Sequence, residues 1–267
     1  MPELAEVEHS RRVWDRARGK KILAVEIRNI RSRVWQGLPA SRLKAVLTGK
    51  SLTSSEAHGK QMLFGFGREI WVGVHLGMTG ELRREVPNYS VQKHDHLVLR
   101  QANGCLVFSD QRRFGRVRLF EGSEPPWWSK LPPAILSPRF TSRLVAEFCK
   151  RKKRSPLKSL LLMQERFPGI GNWMADEILW RARLHPKLPA GDLPAAAIAK
   201  LYRSIRWVTK SAIELLDKDW ELPSSWLFKH RWEDGGVCPR CHAALVREKI
   251  GGRTACWCPR CQALSSK

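Results

Sequence analysis

The chain has 267 residues, and its 48 Lys and Arg against 25 Asp and Glu leave a formal charge of +23 at neutral pH. That length predicts two globular lobes, each with its own apolar core. The excess charge selects polyanionic partners, nucleic acid first, because each basic contact to phosphate releases a counterion, although composition alone equally admits a ribosomal or other nonspecific basic protein. No run approaches the roughly 18 consecutive apolar residues of a membrane helix, and Met1-Pro2-Glu3 opens with acid rather than a basic leader. The expectation is a soluble, unsecreted protein of the cytoplasm or nucleoid with no membrane partner.

Residues 3–18 place Glu3, Glu6 and Glu8 early and Arg11, Arg12, Arg16 and Arg18 late, with Gly19 behind them. That polarity matches a helix macrodipole and predicts a leading helix. Residues 22–27, 70–74, 96–99 and 117–120 are short, β-rich runs between polar or glycine-containing turns, so residues 1–121 are expected to be mostly β. Six glycines and prolines crowd residues 122–138, which predicts an irregular interdomain linker. Helical patterns follow at 140–150, 157–164, 173–184 and 195–216. Asn172, after Gly169-Ile170-Gly171, is the expected N-cap of the third, and a glycine turn at a helix start also makes an anion site.

The tail carries four of the seven cysteines in two CxxC units. Cys238 and Cys241 are separated from Cys258 and Cys261 by sixteen residues. This spacing predicts a zinc ribbon built on a β-hairpin, with four thiolates on one tetrahedral structural ion whose binding supplies folding energy that so short a tail lacks. Paired CxxC units in a long basic chain also point to a reducing compartment rather than a disulfide framework. Cys256 would break the CxxC spacing and is expected to be a bystander. Arg253, near the hairpin tip, is placed to reach phosphate or a base edge.

Met1-Pro2-Glu3-Leu4-Ala5-Glu6-Val7-Glu8 resembles the N-terminus of the formamidopyrimidine-DNA glycosylases, a family that includes endonuclease VIII. The likeness continues in the family's order through His58-Gly59-Lys60, His75-Leu76-Gly77-Met78-Thr79-Gly80, His94-Asp95-His96, Asp110-Gln111-Arg112-Arg113-Phe114-Gly115, Pro168-Gly169-Ile170-Gly171-Asn172 and the zinc ribbon. It implies an α+β, two-domain fold. Residues 1–121 would form a catalytic β-sandwich with a leading helix, and 122–138 the linker. Residues 139–230 would form a helical helix-two-turn-helix DNA-binding domain, and 231–267 a four-cysteine zinc finger.

The resemblance further implies that Pro2, freed of Met1, attacks the sugar C1′ of an oxidised base. The chemistry agrees, because an α-amine titrates near about 7.7–8.0 and is partly unprotonated at neutral pH. A secondary amine forms an iminium that acidifies the adjacent sugar carbon and permits β- and then δ-elimination. By the same resemblance Glu3 is the acid and base for the opened sugar, Glu6 a supporting carboxylate and Lys60 a phosphate contact. As residue types alone, Glu3 and Glu6 also fit helix-start acids, and Lys60 fits a loop projecting toward DNA. Met78, Arg112 and Phe114 match wedge residues that fill the space left by an extruded base. Their polar, glycine-flanked loops argue for exposure. His94 and Asn172 match further DNA contacts.

The implied partner is double-stranded DNA containing oxidised bases or abasic sites, bound by a monomer; one zinc ion is the sole cofactor. Ala5 and Gln111 stand where the family usually has proline, so less rigid loops are expected at both places. Residues 217–236 form a short, tryptophan-rich segment where the family's purine-specific members usually carry a longer loop over the flipped base. Met78, Arg112 and Phe114 lean toward ring-opened purines and 8-oxoguanine. An endonuclease VIII-like pyrimidine glycosylase, a catalytically silent damaged-DNA-binding protein and a zinc-ribbon RNA-binding protein stay open.

Overall fold

The computed structural model describes residues 1–35, 38–218 and 221–264. Asp219 and Trp220 of the short 217–236 segment, and the last three residues of the 231–267 region, lie outside the described residues. The chain divides into two units, Met1–Leu131 and Pro132–Lys267.

The first unit runs α1 (Leu4–Asp15), β1 (Ala24–Ile27), α2 (Ala40–Leu47), β2 (Leu52–His58), β3 (Gln61–Phe66), β4 (Ile70–His75), β5 (Glu81–Glu85), β6 (Asp95–Gln101), β7 (Gly104–Ser109), β8 (Arg116–Glu121) and α3 (Pro126–Ser129). Its strands form two four-stranded antiparallel sheets, ordered β1-β6-β7-β5 and β2-β3-β4-β8. Phe64, Phe66 and Val72 of one sheet share a buried core with Leu97, Leu106 and Phe108 of the other. Truncating one such side chain to Ala costs about 2–5 kcal/mol.

Helix α1 packs on β2 and β5, which are edge strands of the two sheets, and covering them removes unpaired edges. Trp14 anchors it: the ring lies 4.9 Å from Phe64, and its indole N–H donates to the carbonyl of Arg83 at 3.2 Å. Arg11 reaches Ser55 on β2 at 2.6 Å. These contacts fix where the N-terminus of the chain emerges.

Two elements depart from the sequence reading. Helix α2 was not expected, although Leu43, Val46 and Leu47 bury one helical stripe. The proline-rich stretch, expected to be irregular, contains the single turn α3, with Pro126 in the first turn, where a missing N–H costs nothing. Trp127 of α3 packs over Gly73 and edge-on to Phe120 at 5.6 Å, so this turn belongs to the first unit.

The second unit runs α4 (Ser142–Arg151), α5 (Leu157–Leu161), α6 (Asn172–Ala182), α7 (Ala195–Lys218), a 3-10 turn at Leu227–His230, and the antiparallel hairpin β9 (Val246–Ile250) and β10 (Arg253–Trp257). Helix α5 stops at Leu161, short of the expected 164. Gln164 spends its side-chain amide on the carbonyls of Leu162 and Ile170 and accepts from Gly169, shaping the turn into α6. Helix α6 packs on α5, α7 and β10 and is buried nearly all round. Among the described residues no helix is long and apolar enough to cross a membrane.

Candidate catalytic and nucleic-acid-binding site

The N-terminal acids have a structural role. Glu3 is the N-cap of α1, and the Glu6 carboxylate accepts its backbone N–H at 3.0 Å, while the Glu3 side chain accepts the backbone N–H of Glu6. This reciprocal capping box satisfies two donors that a helix start leaves open. It also buries Glu3 to 3% exposure directly after the half-buried Pro2. Ala5 lies in the first turn of α1, not in a loop, and a good helix former there loosens nothing.

Lys60 occupies the two-residue turn between β2 and β3. The turn is as expected, but the side chain is only 9% exposed rather than projecting freely. Beside it stands His75, opposite Gln61 in the sheet. Burial, and then Arg116, Lys60 and Arg118, push the His75 ring down to about 4. The neutral ring accepts the backbone N–H of Gly77 on Nδ1 at 3.0 Å.

That bond starts the loop carrying Met78, which abuts the loop carrying Arg112 and Phe114. Gly77 has φ +66°, and a Cβ there would come within 2.4 Å of the Phe114 carbonyl carbon, so only glycine permits the approach. Asp110, 1% exposed, ties the two loops together. Its carboxylate accepts from the Thr79 hydroxyl at 2.7 Å, from the Arg112 backbone at 3.2 Å and from the Gly115 backbone at 2.7 Å. The backbone N–H of Asp110 in turn donates to the carbonyl of His94 at 2.9 Å. The fold therefore brings His94, Met78, Arg112 and Phe114 to one place. Met78 is 42% and Phe114 50% exposed, with the Arg112 guanidinium 5.0 Å from the Phe114 ring centroid. His75 and Asp110 stand inside sequence motifs, yet only the tertiary hydrogen bonds reveal what they do.

In the second unit the N-cap of α6 is Gly171, not Asn172, and glycine has no side chain of its own to cap the helix with. Asn172 is the first helical residue. Its amide instead donates to the carbonyl of Thr254 at 2.9 Å, tying the helix start to the hairpin next to Arg253, while its buried Oδ1 has no hydrogen-bond partner among the described residues. Arg253 is exposed at the start of β10, as expected.

Behind this surface lies a buried ionic cluster that the sequence reading missed. Asp176 accepts from Lys158 at 2.6 Å, Arg231 at 2.7 Å and the backbone of Cys256 at 3.0 Å, and Lys158 also donates to the carbonyl of Asn172 at 2.6 Å. One carboxylate thus joins α5, α6, the segment after the 3-10 turn and the hairpin. Its neighbour Glu177, fully buried, accepts from Arg181 at 2.7 Å and from the Phe228 backbone at 3.1 Å. No local pattern marks these residues, because charged side chains on a helix are ordinarily read as its solvated face.

Cys238, Cys241, Cys258 and Cys261 bring their sulfurs within 4.8 Å of one another. A tetrahedral ion with sulfur bonds of about 2.3 Å requires separations of about 3.8 Å, and the Cys238–Cys261 and Cys241–Cys258 pairs stand at 3.9 and 3.5 Å. The set fits a structural zinc ion with no place left for solvent. The indole of Trp180 donates to the Cys238 sulfur at 3.3 Å, a bond that orients a ligand from outside. Cys256 is buried against Asp176, outside the cluster, and burial pushes its thiol up to about 12.

Three family models match the chain in order: the formamidopyrimidine-DNA glycosylase N-terminal domain over residues 1–117, its helix-two-turn-helix domain over 131–221, and the zinc finger found in these glycosylases and isoleucyl-tRNA synthetases over 235–264. The fold and site are those of a DNA-repair glycosylase of α+β, two-domain build, with an N-terminal β-sandwich, a helix-two-turn-helix region and a four-cysteine zinc-finger hairpin. The formamidopyrimidine-DNA glycosylases of Pelotomaculum thermopropionicum and Thermus thermophilus are 32% and 35% identical to it, each over 98% of this chain and 99% and 98% of their own length. Among solved structures, the Lactococcus lactis enzyme bound to an abasic-site DNA superposes with a TM-score of 0.87 at 31% identity, covering 98% of this chain and all of that one. The same enzyme with an oxidized-pyrimidine DNA gives 0.86 at 32%, with the same coverage. The chain belongs to the formamidopyrimidine-DNA glycosylase family.

Proposed function

We propose that this chain is a bifunctional DNA glycosylase and abasic-site lyase that excises oxidised bases, ring-opened purines and 8-oxoguanine first. It acts through a Schiff base on Pro2 followed by β,δ-elimination. The observation that carries the reading is Pro2 at the mouth of α1, followed by a buried Glu3 whose position is set by a capping box.

With Met1 removed, the Pro2 nitrogen attacks C1′, the damaged base departs with a proton, and the ring oxygen opens to an alcohol as the iminium forms. Glu3 delivers and removes protons at the opened sugar, with Glu6 supporting it. The iminium draws electrons from C2′, so loss of a C2′ proton expels the 3′ phosphate, and a second elimination expels the 5′ phosphate. Lys60 holds a phosphate beside the lesion. Met78, Arg112 and Phe114 fill and read the gap left in the duplex, and His94, Asn172 and Arg253 contact DNA. The domain assignment is 1–121 catalytic, 122–138 linker, 139–230 DNA-binding and 231–267 zinc finger. One zinc ion on Cys238, Cys241, Cys258 and Cys261 stabilises the finger and takes no part in the chemistry. The protein works as a monomer on double-stranded DNA in a bacterial-type cytoplasm, at the nucleoid.

A second reading, oxidised-pyrimidine excision, is favoured by one finding: the similar Lactococcus lactis enzyme was solved with an oxidized-pyrimidine DNA. Borohydride trapping on duplexes carrying 8-oxoguanine, dihydrouracil or an abasic site separates these outcomes. Wild-type protein is expected to form a covalent adduct, fastest on the purine lesion, and an N-terminal extension that acylates Pro2 abolishes it. Tight binding without an adduct on any duplex would leave a damage-sensing protein and end the enzymatic reading.

A further inference from the structure

The C-terminal end of α6 is surrounded by cations that the site described above does not use. Asn172 opens this helix of 11 residues and Arg183 caps its far end, a span of about 16 Å at 1.5 Å per residue. Lys200 and Arg203 reach the same place from α7, and Arg240 reaches it from the first CxxC turn. Partial burial, and then the charges of Arg183, Arg240 and Arg203, hold the Lys200 amine below the ordinary lysine range, so the four cations share one neighbourhood. Among the described residues none of the four pairs with a carboxylate. Residues 178–191, 193–213 and 235–247, which supply them, contain no Asp or Glu. Like charges gathered in this way repel one another, and a bound polyanion relieves the repulsion.

A half-exposed ring stands in the same row. Lys200, Arg203 and Trp207 are spaced i, i+3 and i+7 along α7 and so share one helix face. Trp207 is 47% exposed. The Arg181 guanidinium lies 4.0 Å from its ring centroid, and the buried Trp226 stands 5.4 Å from it. Arg181 is itself fixed by the Glu177 carboxylate at 2.7 Å. Trp180 joins this ring to the cations, with the Arg181 and Arg240 guanidinium groups 5.5 and 4.0 Å from its centroid. Arg240 also donates to the Trp180 carbonyl at 3.2 Å. These groups are held by contacts already made in the free protein, so little conformational freedom is lost when something binds.

We propose that this face, built from α7, the C-terminal end of α6 and the first CxxC turn, is a second nucleic-acid surface that holds single-stranded DNA. Phosphates run along Arg183, Lys200, Arg203 and Arg240, and a base stacks on Trp207. The exposed indole selects this occupant. A duplex keeps its bases stacked inside and an acidic peptide offers only carboxylates, whereas binders of single strands combine a basic track with aromatic platforms. The face lies wholly within the second unit, at the opposite end of α6 from Asn172, so an unpaired strand can be held there while a lesion duplex is engaged. The inference does not depend on the chemistry of Pro2.

Fluorescence anisotropy on the zinc-loaded full chain tests it. The protein is first saturated with an unlabelled tetrahydrofuran duplex, and labelled oligothymidylate is then added. Wild type is expected to bind the oligonucleotide without releasing the duplex. Trp207→Leu should weaken that second binding by about tenfold, the usual scale of one base–aromatic stack, and Trp207→Phe should restore most of it. Combining Lys200→Ser with Arg203→Ser should lower the slope of log K against log salt by about 0.7 for each phosphate contact removed. Borohydride trapping on an abasic duplex should be unchanged in these variants, so loss of the second surface and loss of the Pro2 chemistry are read separately. Release of the duplex by oligothymidylate, or an affinity for it that ignores Trp207, would overturn the proposal. Polyglutamate or an undamaged duplex binding as tightly as oligothymidylate through these residues would overturn it too, and would make the face a general contact for anions.

Discussion

Two single residues, the half-buried His75 of the first unit and the buried Glu177 of the second, respond to pH with opposite sign. His75 is held down to about 4 by burial and by Arg116, Lys60 and Arg118, whereas an unfolded imidazole titrates near 6.5. The unfolded chain therefore binds this proton more readily, and the stability His75 contributes is full above about 6.5 and lost as pH falls toward 4. Glu177 is pushed up to about 7 by burial, which outweighs Arg181 and the N–H groups of Phe228 and Leu227. Here the folded state binds the extra proton, so its contribution is full below about 4.5 and lost as pH rises through 7. Hydrogen exchange between pH 4.5 and 7, corrected for intrinsic rates, should show the β4 and Met78 loop amides gaining protection with rising pH and the Phe228 region losing it. Glu177→Gln should remove the second slope and leave the first. Slopes of one sign in both regions would contradict these assignments.

At the scale of elements, two hubs carry more than their share. Asp110 joins the loops of Met78 and Phe114, and Asp110→Ala would leave the Gly115 N–H and the Thr79 hydroxyl without their acceptor and the Arg112 N–H with Thr79 Oγ1 alone, at about 1–3 kcal/mol for each group left unpaired that stays buried. Thermal unfolding should show that loss, and trapping on lesion duplexes should fall as the loops separate; an unchanged melting temperature would mean solvent replaces the carboxylate. The zinc hairpin is the second hub, because Asn172, Asp176 and Trp180 of α6 all bond to it. Chelation should melt β9 and β10 and take DNA affinity with them, since the thiolate cluster supplies folding energy to a tail with a small core. Readdition of zinc should restore both. Retention of hairpin amide protection after chelation would show that packing on α6 suffices.

For the whole molecule the decisive quantity is charge. A protein carrying +23 that neutralises several phosphates should bind duplex DNA with a steep salt dependence, each contact adding about 0.9 to the slope of log K against log salt. Anisotropy titrations on lesion and undamaged duplexes are expected to give similar slopes and different intercepts, because phosphate contacts position the protein whereas base contacts specify the lesion. A shallow slope on both would remove electrostatics as the main source of affinity.

Much of this protein is determined locally and was legible in its sequence. The leading helix, the four later helical patterns, the CxxC spacing and the ordered motifs around Pro2, Lys60, Met78 and Phe114 depend on periodicity, caps and turns that act over a few residues. Local rules also account for the errors. Asn172 has the chemistry of an N-cap, but Thr254, eighty-two positions away, claims its amide. Lys60 sits in the predicted turn, yet the surrounding sheet buries it. The Asp176 cluster, the Asp110 tie and the neutral His75 were decided by tertiary structure alone. Each depends on which distant groups share a desolvated space. There an unpaired charge is costly and a matched one fixes geometry, and no pattern along the chain records who the partner is.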